Sequence, residues 1–413
     1  MNRSARHEEL LSEEAVRDPY TFFGELRETE PVAYNQRYRS WVITRYSDVS
    51  AAFKDPRFGS DRITPYVEQR RAQGRQDASD AVFDILSDWL VFKDPPDHGR
   101  LRRLVNRAFT PRAVQQMEGR IEEIAEELLA DLPSEGVADL IKEFAYPLPA
   151  IVIAEMLGVP ASDRGLFKQW SDDLGALVFG GLEDEGRHER ATGGMLELVE
   201  YLTELIDRYT QEPADNLISA LTRSRDEGDA LSQSEVVATC TLLLFGGHET
   251  TTNLIGNSLL ALAERPELRE ELTADPDLLR PAVEELLRFD GPAKAVVRVM
   301  VDDIAFAGRQ LQRNDRVFLV TAAANRDPRE FSRPDEIDIR RDEAQHLGFG
   351  LGAHYCLGAP LARMEAVVAL RVIFRHLAEL RLPDGHDLHW HPVLLNRGLA
   401  ELPLAYRRSE VRA

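Results

Sequence analysis

The stretch Gly348–Arg363, GFGLGAHYCLGAPLAR, holds one of only two cysteines in a chain of 413 residues. Gly348, Gly350 and Gly352 alternate ahead of Cys356, and Gly358 follows it. Alternating glycines suit a backbone that turns tightly and passes close to something large and flat. Just beyond, Pro360 fits the first turn of a helix, and LARMEAVVALRVIFRHL carries apolar residues at helical spacing. The spacing therefore puts Cys356 just before a helix start. Backbone N–H groups and the positive end of the dipole there favour thiolate over thiol.

A thiolate so placed has three uses: nucleophile, redox centre or metal ligand. The redox use needs a resolving cysteine, and the only other one, Cys240, lies far upstream in an apolar stretch that reads as packed core. A nucleophile needs a base; His354 is near in sequence, but sequence does not orient it. Zinc needs several Cys or His ligands at short spacing, and neither CxxC nor HExxH occurs. One axial thiolate on a haem needs only one cysteine and a close-approaching loop.

FGLGAHYCLG resembles the haem-ligand signature of the cytochrome P450 family, F-G-x-G-x-H-x-C-x-G, at every fixed position. The resemblance implies haem b (iron protoporphyrin IX) as cofactor, with Cys356 as the iron's ligand and Phe349, Gly350, His354 and Gly358 around it. It also implies the fold: mainly α with a small β-rich lobe, triangular, the haem lying between a long central helix and the cysteine-loop helix. The resemblance is dense from Asp94 to the C-terminus and thins over residues 59–93 and 165–200, which the family uses for substrate contacts.

Composition agrees with a soluble enzyme. Hydrophobic residues make up 43% and charged residues 29%, and no run of about 18 apolar residues offers a membrane span. The opening MNRSARHEELLSEEAVRDPY is too polar and acidic for a secretory signal or an anchor. Two distant cysteines give no disulfide framework, so a reducing cytoplasm and a bacterial-type, unanchored enzyme are expected. Lys+Arg 50 against Asp+Glu 71, a net charge of −21, argues against a nucleic-acid partner while allowing a local basic patch. Length alone allows two or three domains, yet no linker, low-complexity tract or repeat divides the chain. One domain over 1–413 is the expectation.

Along the chain, PVAYN and SWVITRY read as short strands, followed by a helix over 47–53. Residues 59–94 read as a long loop with short helices of its own. The pattern is helical from Asp97 to about Ile206, with two helices joined by a Gly- and charge-rich turn within 166–202. Strands and turns close the chain. The longest helix runs from Ser234 to about Glu264, with Ser232 and Glu235 at capping-box spacing and Pro266 beyond its end. Apolar residues nearly surround it, so it is buried. Its centre, FGGHETTTN, is nevertheless poor helix material.

That centre matches the family segment A/G-G-x-D/E-T at Gly246, Gly247, Glu249 and Thr250, which implies a local distortion where dioxygen binds. Oxygen reduced there must take up protons before the O–O bond breaks. Glu249 and Thr250 are the expected proton-delivery pair. The bland alternative is that the threonines bond back to carbonyls four residues earlier. Glu285 and Arg288 are three apart on one helix face and resemble the family's E-x-x-R lock. Its usual third arginine is not in register, because Glu336 falls there; Arg333 or Arg340 are the substitutes to test. His98 and Arg102, four apart, together with Arg298 and His354, match the family's haem-propionate partners; arginine binds carboxylates bidentately.

The implied function is a haem-thiolate monooxygenase that activates O2 and hydroxylates or epoxidises a hydrophobic small molecule of natural-product, terpenoid, steroid or fatty-acid class. Electrons from NAD(P)H are expected through a separate ferredoxin and reductase, with Arg103, Arg107, Arg112 and Arg363 as docking cations. A peroxide-driven oxygenase and a non-catalytic haem-binding module are the alternatives. Phe245, Ala293, Lys294, Val296 and Val297 are the expected substrate contacts. For Lys294 the competing role is a surface lysine whose stem lies along apolar surface.

Overall fold

The structure, a computed structural model, describes residues 9–74, 79–163, 165–166, 169–170 and 187–409. Buried apolar residues recur at helical spacing through most of the chain. The principal helices are α1 (Pro19–Thr29), α2 (Tyr46–Lys54), α3 (Thr64–Ala72), α4 (Ser79–Ser87), α5 (Asp97–Ala108), α6 (Glu118–Ala130), α7 (Pro147–Leu157), α8 (Arg187–Gln211), α9 (Gln233–Ala263), α10 (Leu279–Asp290) and α11 (Ala359–His376). The strands of the two larger sheets are β1 (Val32–Asn35), β2 (Ser40–Ile43), β3 (Phe58–Gly59), β4 (Glu135–Asp139), β5 (Val296–Met300), β6 (Arg316–Leu319), β7 (Leu377–Arg381) and β8 (Pro403–Arg408). The result is the mainly α fold with small sheets that the resemblance implied.

Helix α9 is the spine. Its 31 residues span about 46 Å, and α7, α8, α10 and α11 all pack against it. Both halves of the Ser232–Glu235 capping box form. The expected distortion at its centre does not: the helix is unbroken through Gly246 and Gly247. The threonine hydroxyls bond back along the helix instead, Thr250 to the Gly246 carbonyl at 2.7 Å and Thr252 to the His248 carbonyl at 3.1 Å. These polar groups are satisfied within the helix, so burial does not break it.

The larger sheet has the order β1-β2-β6-β5-β3, with β6 parallel to β2 and the other pairs antiparallel. Alternation along β5 sorts its side chains. Val297, with Ala295 just ahead of it, packs into the cluster that holds Phe22 and Phe23 of α1. Val296 lies against the cluster around Phe53 of α2, and the Arg298 guanidinium sits 5.6 Å over the Phe53 ring. The smaller sheet, β7-β8-β4, corrects the expectation of a helical pattern with only short breaks at Pro, Gly and Asp from Asp97 to about Ile206. Residues 135–139 form a strand because β8 arrives from the far end of the chain to pair with them, Leu404 opposite Ala138. The expected turn near 171–186 lies outside the described residues. No described helix is long and apolar enough to cross a membrane.

Candidate active site

The glycine loop is built by backbone need. Gly350 and Gly352 have φ of 70° and 75°, where a side chain is strained. A Cβ on Gly352 would also lie 2.7 Å from the Phe53 carbonyl oxygen. Turn bonds from Gly350 N to Leu347 O (3.0 Å) and from Cys356 N to Phe349 O (3.0 Å) fold the loop back on itself. Tyr355 is held at both ends: Arg102 of α5 donates to its carbonyl at 2.8 Å, and Arg363 of α11 to its hydroxyl at 3.0 Å. Arg363 also lies 4.4 Å over the Phe349 ring and binds Glu284, 2.8 Å from Nη2 to Oε2.

Cys356 sits three residues before the first residue of α11, with Pro360 in the first turn. Burial raises its pKa above the ordinary thiol value. It outweighs the N–H groups of Gly358 and Ala359 and the charges of Arg102 and Arg363, all of which pull the other way. The helix-start N–H groups and the two arginines favour the thiolate, as the spacing suggested, and burial opposes them. Cys240, fully buried in α9, has its thiol pushed up to about 12 by burial and reads as core.

The four cations expected from sequence come together from three parts of the chain. His98 and Arg102 project from α5, Arg298 from β5, and His354 from the loop. The two imidazole rings lie with centroids 3.9 Å apart, tilted by 39° to one another. Burial lowers both pKa values, and the neighbouring cations lower them further, that of His354 to about 3. Both rings are pushed toward the neutral imidazole, which keeps an N–H to give. His98 Nε2 is buried without a hydrogen-bond partner among the described residues, which is costly unless an acceptor arrives. Arg298 is buried, and among the described residues its guanidinium's only hydrogen bond is to the neighbouring Val297 carbonyl. Asp94, the nearest carboxylate acting on His98 and Arg298, is already taken by the N–H groups of Ser60 (2.8 Å) and Asp61 (3.2 Å).

These residues fit a haem. A single soft ligand suits iron, the orphaned imidazole and unpaired guanidinium suit the carboxylates, and a Cβ at Gly246 would meet open space. Sequence reasoning missed Arg62, Asp94 and Tyr355 as parts of the site. Arg62 lies in the polar, poorly periodic stretch SDRITPY; only the pairing of β3 with β5, Gly59 opposite Val299, brings that stretch beside Arg298.

Beneath the loop, Arg288 grips Glu285 through Nε (2.7 Å) and Nη2 (2.8 Å) and donates to the carbonyls of Asn325, Pro334 and Glu336. The third member is Arg341, whose Nε lies 3.2 Å from both Glu285 oxygens and whose Nη1 meets Glu343 at 2.8 Å. Arg333 and Arg340 are excluded. The first bonds Glu336 and Asp338, the second bonds Glu271, and both are exposed. Glu336 contributes its carbonyl rather than a charge.

The expected substrate contacts divide. Phe245 is buried with its ring 5.3 Å from that of Trp89. Ala293 and Val296 are half-buried. Val297 turns to the α1 side and leaves the set, because neighbours on a strand face opposite ways. Lys294 is no surface lysine. It is buried, its Nζ donates to the Val393 carbonyl at 2.6 Å, and Arg397 and Asp290 are its charged neighbours. The docking cations are partly neutralised: Arg103 and Arg107 share Asp226, and Arg363 holds Glu284. Arg112 is exposed without a partner among the described residues.

Comparison with known proteins identifies the family. The family model described as Cytochrome P450 matches residues 185–388. A vitamin D(3) 25-hydroxylase of Pseudonocardia autotrophica is 41% identical over 401 residues, 96% of each chain. The polyketide biosynthesis cytochrome P450 PksS of Bacillus subtilis is 37% identical, covering 94% of this chain and 96% of its own. Among solved structures, P450BioI in complex with an acyl carrier protein ligated to hexadec-9Z-enoic acid superposes with a TM-score of 0.87 at 33% identity, covering 97% of this chain and 100% of that one. Similarity of this extent, joined to a lone cysteine in a glycine loop beneath a cation cluster, makes this chain a member of the cytochrome P450 family, a monooxygenase.

Proposed function

We propose that the chain, as one domain over residues 1–413, oxidises a hydrophobic small molecule at a haem held by Cys356. Electrons would come from NAD(P)H through a separate ferredoxin and its reductase, in the cytoplasm. The haem supplies O2 activation when bound; the chain's residues do the rest. His98, Arg102, Arg298 and His354 would hold its carboxylates. The glycine loop, with Phe349, Gly350 and Gly358, would let backbone approach its face. The Glu285–Arg288–Arg341 cluster braces the segment that precedes the loop.

In α9, the Thr250 hydroxyl donates a hydrogen bond to the Gly246 carbonyl. Its oxygen keeps lone pairs that can accept from a water, so the back-bonded geometry is compatible with a part in proton delivery, with Glu249 beside it. Phe245, Ala293 and Val296 would line the substrate pocket, which points to an apolar substrate. The similar proteins named for vitamin D(3) hydroxylation and polyketide biosynthesis support that class.

The observation that carries the reading is the meeting of Cys356 with unpaired cations that lack carboxylates of their own. The test is an optical titration of the purified ferric protein with panels of polyketides, macrolides, steroids and fatty acids, free and carrier-bound. A low- to high-spin shift with one class identifies the pocket's preference. A bound haem without the thiolate signature would overturn the assignment of Cys356.

A further inference from the structure

Beside Arg298, across the pairing of β3 with β5, stands a further arginine. Arg62 follows β3, and the backbone that leads to it is clamped, with the N–H groups of Ser60 and Asp61 both on the Asp94 carboxylate. The space is tight, because a Cβ on Gly59 would lie 2.8 Å from Asp94 Oδ2. The Arg62 guanidinium rests 4.4 Å over the ring of buried Phe92. It has no hydrogen-bond or carboxylate partner among the described residues; the charges that act on it are those of Arg298 and Arg316. Like charges held together in a half-buried place are unfavourable unless an anion joins them. Arg316 is exposed and screened by water; Arg62 and Arg298 are not. The three guanidiniums of Arg62, Arg102 and Arg298, set against the single carboxylate of Asp94, leave two positive charges over, the complement of a dicarboxylate.

We propose that Arg62 is a haem-carboxylate ligand, acting with Arg298, and that through it the haem fixes the chain between β3 and α3. This rests on the haem-thiolate reading above and adds a residue to it. The chemistry is charge-assisted pairing of a guanidinium with a carboxylate, for which arginine's planar fork is suited. Because Arg62 lies two residues ahead of α3, the cofactor's carboxylate would order the start of the 59–94 segment.

The test compares the wild-type holoprotein with Arg62→Ala, Arg62→Gln, Arg62→Lys and Arg316→Ala, each loaded with ordinary haem or with haem dimethyl ester, whose carboxylates are blocked. The readout is the rate of haem transfer to excess apomyoglobin. With ordinary haem, the alanine and glutamine variants should lose cofactor about tenfold faster. Lysine should restore part of the difference, and Arg316→Ala should match the wild type. With the dimethyl ester, the Arg62 variants and the wild type should lose haem at the same rate. Hydrogen exchange at residues 60–72 should be slower in holo than in apo wild type, and that difference should shrink in Arg62→Gln. Wild-type rates in Arg62→Gln with ordinary haem, or an equal acceleration with both haems, would overturn the proposal. If the wild type itself binds no haem with a thiolate signature, the underlying reading fails instead, and the two failures are distinguished.

Discussion

Thr250 and Lys294 show how much one side chain's surroundings decide. Thr250 donates to the Gly246 carbonyl, so its oxygen can only accept from an incoming water. Thr250→Ala should leave the haem spectrum unchanged while product formed per NAD(P)H consumed falls at least about tenfold; Thr250→Ser should recover most of it. Unchanged coupling in the alanine variant would remove Thr250 from proton delivery. Lys294 is pulled down from 10.5 to about 7 by burial and by Arg397, with Asp290 opposing. Between those two values the unfolded chain binds a proton that the folded chain does not, so this residue makes stability rise with pH over that window. Urea midpoints at pH 6.5 and pH 9 should therefore move upward more in the wild type than in Lys294→Met. Parallel shifts would show that the buried amine keeps its charge.

At the scale of elements, the decisive contact is between α10 and the loop that runs toward the cysteine. Glu285 accepts from Arg288 on its own helix, from Arg341 and from the N–H of Asp338 at 2.8 Å. All three charged side chains are nearly sealed from solvent. Removing Arg341 leaves Glu285 paired with Arg288 but strips it of its bonds from the Arg341 Nε, at a cost of about 1.5–3 kcal/mol. Arg341→Ala should lower the unfolding free energy from a urea titration by about that amount and weaken haem retention, whereas Arg333→Ala and Arg340→Ala should leave it where it is. Equal effects of all three would mean that the loop is held by general charge rather than by this contact. Helix α9 teaches a related lesson. Its glycines and threonines read as poor helix material, but hydroxyls bonded back within the helix satisfy the polar groups, and packing on α7, α8, α10 and α11 supports a helix that runs uninterrupted.

Over the whole molecule, a net charge of −21 would repel an acidic redox partner of the kind proposed, so its docking would depend on a local excess of cations. Asp226 takes up part of the charge of Arg103 and Arg107, which leaves Arg112 as the free one among the described residues. Arg112→Glu should slow reduction by an added ferredoxin several-fold at low salt, and the gap to the wild type should close near 1 M, where screening reaches about 3 Å. A gap that persists at high salt would place the defect elsewhere. The sequence by itself determined what is encoded at short range: the glycine loop around Cys356, the length and cap of α9, the i,i+3 pairing of Glu285 with Arg288, and the i,i+4 pair of His98 and Arg102. Spacing on one helix or one tight loop fixes which side chains are neighbours, so those features need no knowledge of the rest of the chain. Only the tertiary structure decided that Arg341 rather than Arg333 or Arg340 completes the buried trio, that Val297 faces α1, that Lys294 is buried, and that Arg62 stands beside Arg298. In each of these cases the partner arrives on an irregular segment or across a strand pairing. Hydrophobic periodicity carries no record of such meetings, and burial and charge are settled there by whichever distant backbone the fold brings close.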